Sequence, residues 1–225
     1  MTLPLIRLLQ LTSPALPVGA YTYSQGLEWA VEQGIVCDEP SAQTWIGDLL
    51  AGSVGRFEAP WLGRFLIAWN QEDAHSLGML HAHFLASRET AELRAETLQM
   101  GHSLTRLLEA LAGFPKGHVR RLQQFAQPSY PLAWSCAASA WQIDAPDALA
   151  GYLWSWAENQ VLAAVKTVPL GQSAGQRILA AVGSQIPLLV EHALVVPADA
   201  TSNFSPGLAI ASACHETQYT RLFRS

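Results

Sequence analysis

An all-α fold, a compact single-domain bundle of about ten helices, is the expectation this sequence sets, and three observations set it. Apolar residues recur at three- and four-residue spacing along almost the whole chain. Helix start signals (Asp38 with Pro40, Asp144 with Pro146, Ser205 with Pro206) stand just before such stripes, and Gly34 and Gly113-Phe114-Pro115-Lys116-Gly117 stand just after them. Strand patterning is confined to Ala193 to Val196, which more simply ends a helix that Pro187 begins.

Taken in order, Leu3 to Leu11 reads as a first helix: Pro4 and Arg7 interrupt it as a secretory signal, and no Ala-x-Ala cleavage pattern follows. Ser13-Pro14-Ala15-Leu16-Pro17-Val18-Gly19 is a shaped connection, because each proline fixes its own φ and Gly19 permits a sharp bend. Thr22-x-x-Gln25 has the pattern of a capping box for a helix through Leu27, Trp29 and Val31, which Gly34 closes. Trp45, Ile46, Leu49 and Leu50 form one stripe, and Trp61, Leu62, Phe65, Leu66 and Trp69 the next, with Leu77, Leu80 and Phe84 continuing the pattern. Leu93, Met100, Leu104, Leu107 and Leu111 share a face, with Glu92, Arg94, Glu96 and Arg106 expected away from it. A small-residue helix from Leu132 to Gln142 and a long one past Asp144 follow, then charge becomes scarce, as befits helices in the core or pressed against another chain. The last helix is expected from Gly207 through Tyr219. Domain boundaries are absent from this pattern: one unit, 1–225, with an N-terminal helix and shaped loop at 1–22 and a partner-docking helix and tail at 201–225.

Composition narrows function. The 225 residues are half hydrophobic and only 14% charged, which is apolar for a chain without a continuous membrane-length run and implies surface meant for a partner. A net charge of -5 and the lack of basic runs interleaved with aromatics exclude the usual nucleic-acid binder. Cys37, Cys136 and Cys214 are odd in number and far apart, which fits a reducing cytoplasm better than a disulfide framework. No phosphate-binding Gly-x-x-x-x-Gly-Lys loop, dinucleotide fingerprint or His-Glu-x-x-His helix occurs. His81 and His83 point to different faces of a helix, and Cys214 beside His215 is a soft and an imidazole donor on diverging bonds, so these two are weak nickel candidates at most.

Three stretches stand out. The first is Ser13-Pro-x-x-Pro17-Val18-Gly19-x-Tyr21-x-Tyr23-Ser24-x-Gly26-Leu27-Glu28. The second runs from Ala163 to Arg177 and holds Lys166, one of only two lysines, at the end of an apolar helix whose dipole its charge suits, followed by Pro169-Leu170-Gly171-Gln172. The third is the C-terminal His215-Glu216-x-x-x-x-Arg221-Leu222-Phe223-x-Ser225, a tail that alternates cation and apolar side chain. In this order, and spread from residue 13 to the last, these stretches resemble the signatures of the UreF family of urease accessory proteins.

That resemblance implies an all-helical, non-enzymatic chaperone that dimerises, binds the accessory protein UreD (also called UreH) and with it recruits the nickel-carrying GTPase UreG, so that nickel reaches apo-urease. It implies no stably bound cofactor, nickel being handled by the complex. With that role expected, Lys166, Pro169, Gly171, Gln172, Arg177, Tyr21, Tyr23 and Glu28 are read as the GTPase-facing surface. The tail that meets UreD then comprises Ser205, Pro206, His215, Glu216, Tyr219, Arg221, Leu222, Phe223 and Arg224. Two other readings stand beside it: a helical adaptor for another metalloenzyme, and a helical enzyme with a pocket around Tyr21, Tyr23 and Glu28, for which no nucleophile with a paired base is evident.

Overall fold

The computed structural model describes residues 2–225, and no strand occurs among them. The helices are α1 Leu3–Thr12, α2 Leu27–Glu32, α3 Glu39–Leu49, α4 Ala59–Asn70, α5 Ala74–Ala86, α6 Ala91–Ala110, α7 Lys116–Leu122, α8 Tyr130–Ala140, α9 Ala145–Thr167, α10 Gln172–Gly183, α11 Ile186–Val195 and α12 Pro206–His215. A π-helical stretch, Leu50–Glu58, joins α3 to α4 without a break, and α10 runs into α11 with two residues between, so the segments form ten rods, as expected.

The start signals act as read. Asp38 accepts the Ser41 N–H while Ser41 Oγ accepts the Asp38 N–H, a reciprocal cap on α3, and Asp144 accepts the Asp147 N–H at the head of α9. Gly34, at φ +70°, stands just past α2 in the left-handed conformation that ends a helix. The small-residue helix α8 is the centre of the molecule: Leu132, Ala133, Trp134, Cys136 and Ala137 are wholly buried, and the helix packs between α4 and α6. Closeness on the α6 side is absolute at Gly101, where a Cβ would stand 2.0 Å from the Pro128 carbonyl oxygen. The longest helix, α9, touches α1, α2, α3, α4, α10 and α11, and so carries the N-terminal and C-terminal halves on one spine.

Four local expectations are corrected. Thr22 caps no helix: its hydroxyl donates to the Gly19 carbonyl within a 3-10 turn, Ala20–Thr22, and α2 starts only after Gly26. Glu96 faces inward, because it stands at helical spacing between Leu93 and Met100 and so belongs to their stripe. The last helix stops at His215, and Tyr219 lies beyond it, fully exposed. Finally, Gln172–Val195 is long and apolar enough by composition to cross a bilayer; here a third of that window is buried in the fold, and α10 and α11 both pack on α9. The π stretch was not foreseen. In it the ladder widens to i→i−5, as in Ala59 N–H to Val54 O, and Glu58 closes it with its carboxylate held by Arg88 and Tyr152.

Candidate functional site

The three stretches singled out in the sequence meet at one place, beside the middle of α9. Gln25 and Gly26 both take positive φ, +51° and +79°, and this bend aims the N–H groups of Ser24 and Gln25 at a single acceptor, the Ser225 carbonyl oxygen, at 2.7 and 3.0 Å. Ser24 Oγ donates to the same oxygen at 2.5 Å. Only glycine suits position 26, since besides its φ a Cβ there would stand 2.8 Å from the Ala211 Cβ of α12. The Gln25 side chain then ties the loop to two helices: Nε2 donates to Glu96 Oε1 of α6 at 2.7 Å, and Oε1 accepts from Trp156 Nε1 of α9 at 2.8 Å. Ser225 Oγ donates to the other Glu96 oxygen at 2.9 Å.

Glu28, in the first turn of α2, is the second anchor. Its carboxylate accepts the backbone N–H groups of Leu222 at 2.6 Å and Phe223 at 2.9 Å. His215 Nε2 lies 3.2 Å from the same carboxylate, and His215 Nδ1 lies 2.7 Å from Glu92 of α6. Arg221 donates to the free oxygen of Glu92 at 2.8 Å, and the Arg224 N–H donates to the Thr22 carbonyl. The backbone of residues 222–224 therefore has its donors satisfied by the N-terminal segment, which a solvated tail would not need.

Lys166 completes the convergence. In the last turn of α9, its ammonium lies 5.8 Å from the centre of the Tyr21 ring and 5.7 Å from that of Phe223, between the N-terminal loop and the tail. Asn159, one helical face further back, donates to the Tyr23 carbonyl. Tyr21, Lys166, Arg221, Leu222 and Arg224 are exposed and form the rim, whereas Tyr23, His215, Phe223 and Ser225 are buried beneath them. Pro169 and Gly171 are exposed on the connection from α9 to α10, and Gln172 is exposed at the first position of α10. Arg177 stands apart from the cluster and grips Glu39 of α3 with two guanidinium nitrogens, at 2.8 and 2.6 Å, which holds the Glu39 carboxyl below its usual range. Glu216 is exposed and caps α6 by accepting the Ala91 N–H, while Ser205 and Pro206 lie at the opposite end of α12 from the cluster.

Burial governs the electrostatics. It pushes the Glu96 carboxyl up to about 7, against the lowering effect of the Gln25 and Ser225 hydrogen bonds, and it raises Tyr152, whose hydroxyl donates to Glu58 at 2.5 Å. Burial also lowers His81 to about 4. For a metal, the pair Cys214 and His215 is poorly arranged, because both imidazole nitrogens already face carboxylates, Glu92 and Glu28. Among the described residues no group of three His, Cys, Asp or Glu side chains is placed to hold an ion. A cavity of about 90 Å³ runs beneath the loop from Tyr21 and Pro14 to Gln25, Glu96, Glu58, Arg88 and Gln160. Of the three residues considered for an enzyme pocket, only Tyr21 lines it; Glu28 is spent on the tail and Tyr23 is turned into the core.

Sequence reasoning reached Tyr21, Glu28, Lys166, His215, Arg221 and Phe223 but missed Gln25, Glu92, Glu96 and Trp156 as members of one cluster. A carboxylate in register with an apolar stripe was the available signal for Glu96. Nothing local marks Glu92 or Trp156, whose roles arise from partners more than a hundred residues away.

Comparison with known proteins shows the family. The UreF family model matches residues 36–183. A urease accessory protein UreF from Azoarcus sp. (strain BH72) is 63% identical over 226 residues, covering 99% of this chain and 96% of the relative. Those of Dechloromonas aromatica (strain RCB) and Methylobacillus flagellatus are 55% and 51% identical, covering 99% and 98% of this chain and 98% and 97% of the relatives.

Proposed function

The chain belongs to the UreF family of urease accessory proteins, and from that premise we propose that it is a non-enzymatic scaffold of the cytoplasm that couples a GTPase to nickel insertion. In this reading it binds UreD (UreH) and UreG, conveys UreG's nucleotide state to the delivery of nickel into apo-urease, works as a homodimer and holds no resident cofactor. Nickel is cargo of the complex. The observation that carries the reading is the seating of Lys166 between Tyr21 and Phe223, because it links the GTPase-facing and UreD-facing segments through one cation. A partner that displaces either ring changes the environment of the other.

The roles divide by exposure. Tyr21, Lys166, Pro169, Gly171, Gln172 and Arg177 form the surface toward UreG, and Tyr219, Arg221, Leu222 and Arg224 the surface toward UreD. Tyr23, Glu28, His215 and Phe223 position them from below. Exposed apolar side chains on α1 (Leu3, Leu9) and α11 (Leu188, Val195) support further contact with protein, including a second copy. Deleting the tail would remove Phe223 and Ser225 from the core, so point changes test the reading better. In pull-downs with UreD and UreG, with and without GTP and nickel, Leu222→Asp is expected to lose UreD, and Lys166→Ala to keep UreD while altering UreG hydrolysis or urease activation. Normal UreD capture by the first, or unchanged hydrolysis and activation with the second, overturns the corresponding role. A monomer by light scattering, alone and with UreD, removes the dimer.

A further inference from the structure

The cavity beneath the N-terminal loop contains more than packing requires. Arg88 uses Nη1 on Glu58 at 2.7 Å, yet its Nε and Nη2, the edge that forms two parallel bonds to a carboxylate, have no partner within the protein. The side chain is 7% exposed and is flanked by the Phe84 and Phe57 rings, which offer its N–H groups no hydrogen-bonding oxygen. Gln160 of α9 lines the same cavity, is 1% exposed, and has both amide atoms without a protein partner. A buried guanidinium edge and a buried amide left unmatched are costly, so the cavity's occupant must bring acceptors.

The chemistry of that occupant follows from a count of free groups. Among the fully buried atoms of the lining, the unmatched N–H donors, Arg88 Nε and Nη2 and Gln160 Nε2, outnumber the unmatched acceptor Gln160 Oε1, while the Glu158 carboxylate, which also lines the cavity, is only partly buried and keeps access to water. Glu58 accepts from Arg88 Nη1 on one oxygen and from the Tyr152 hydroxyl on the other, and both Glu96 oxygens are engaged by Gln25 and Ser225, so neither carboxylate satisfies the free edge. The remaining wall includes Leu93 and Met100, which suits a short apolar stem. About 90 Å³ holds roughly six waters or one small organic molecule. We propose that this cavity is a binding site for a small monocarboxylate, held two-pronged by Arg88 and hydrogen-bonded by Gln160. The site is independent of the urease reading.

The test is calorimetric titration of the full chain with acetate and with acetamide, its neutral isostere, in parallel. Saturable acetate binding, at least about tenfold tighter than acetamide, is expected, as loss of a two-pronged charged contact implies. Arg88→Gln is expected to abolish it, and Gln160→Leu, which leaves the Arg88–Glu58 pair intact and guards against a misfolded Arg88 variant, to weaken it severalfold. Equal binding of acetamide, unaltered binding in a folded Gln160→Leu protein, or heats no larger than dilution, meaning that water alone occupies the site, each overturns the proposal.

Discussion

Replacing Glu28 by Ala probes the joint between the two ends of the chain. The carboxylate, 12% exposed at its side chain, accepts two backbone N–H bonds from the tail and faces buried His215. Charge-assisted hydrogen bonds contribute about 1.5–3 kcal/mol each, but the Leu222 N–H is near solvent and regains water once freed. The net loss in docking of the tail is then about 2–4 kcal/mol, or roughly a 30- to 1,000-fold rise in local opening. Hydrogen exchange followed by mass spectrometry should show this acceleration in peptides covering residues 215–225 and 22–28, with α8 peptides unchanged because their protection comes from the core. Glu109→Ala, at an exposed carboxylate, serves as the control. Tail exchange that matches the control would refute the assignment of Glu28 as the anchor.

Other consequences are equally direct. Glu96 has its carboxyl raised to about 7 in the fold against an ordinary value near 4.5, so its contribution to stability is whole below about pH 4.5 and is lost as pH rises through about 7. Glu96→Gln keeps an acceptor and adds a donor; urea melts between pH 5 and 8 should show a flatter profile than the parent, and an equal slope would discount the buried proton. Gly101→Ala drives a methyl into the Pro128 carbonyl and should cost about 3 kcal/mol or more in chemical denaturation, unless α6 shifts away from α8. Arg177→Ala removes an exposed pair only, so melting should be unchanged while UreG-dependent urease activation falls; a large drop in melting temperature instead would make Arg177 a structural residue.

What the chain alone decided is the helical architecture and most of its punctuation. Side-chain periodicity and caps are local properties: Asp38 and Asp144 bond to groups three residues on, and Gly34 turns by its own φ, so neighbours suffice to read them. The three signature stretches were likewise visible as unusual composition. Their meeting was not, and the tail read as a partner-docking segment has Phe223 and Ser225 buried against its own chain, because Ser24, Gln25, Glu28 and Glu92 reach partners that helix packing brings from 120 or more positions away. Thirty positions were enough to hide the Arg88–Glu58 pair, which the π stretch and the turn after α5 bring together. Burial of a charge depends on what every other helix does, and only the assembled core assigns Glu96 its raised carboxyl and Lys166 its two rings.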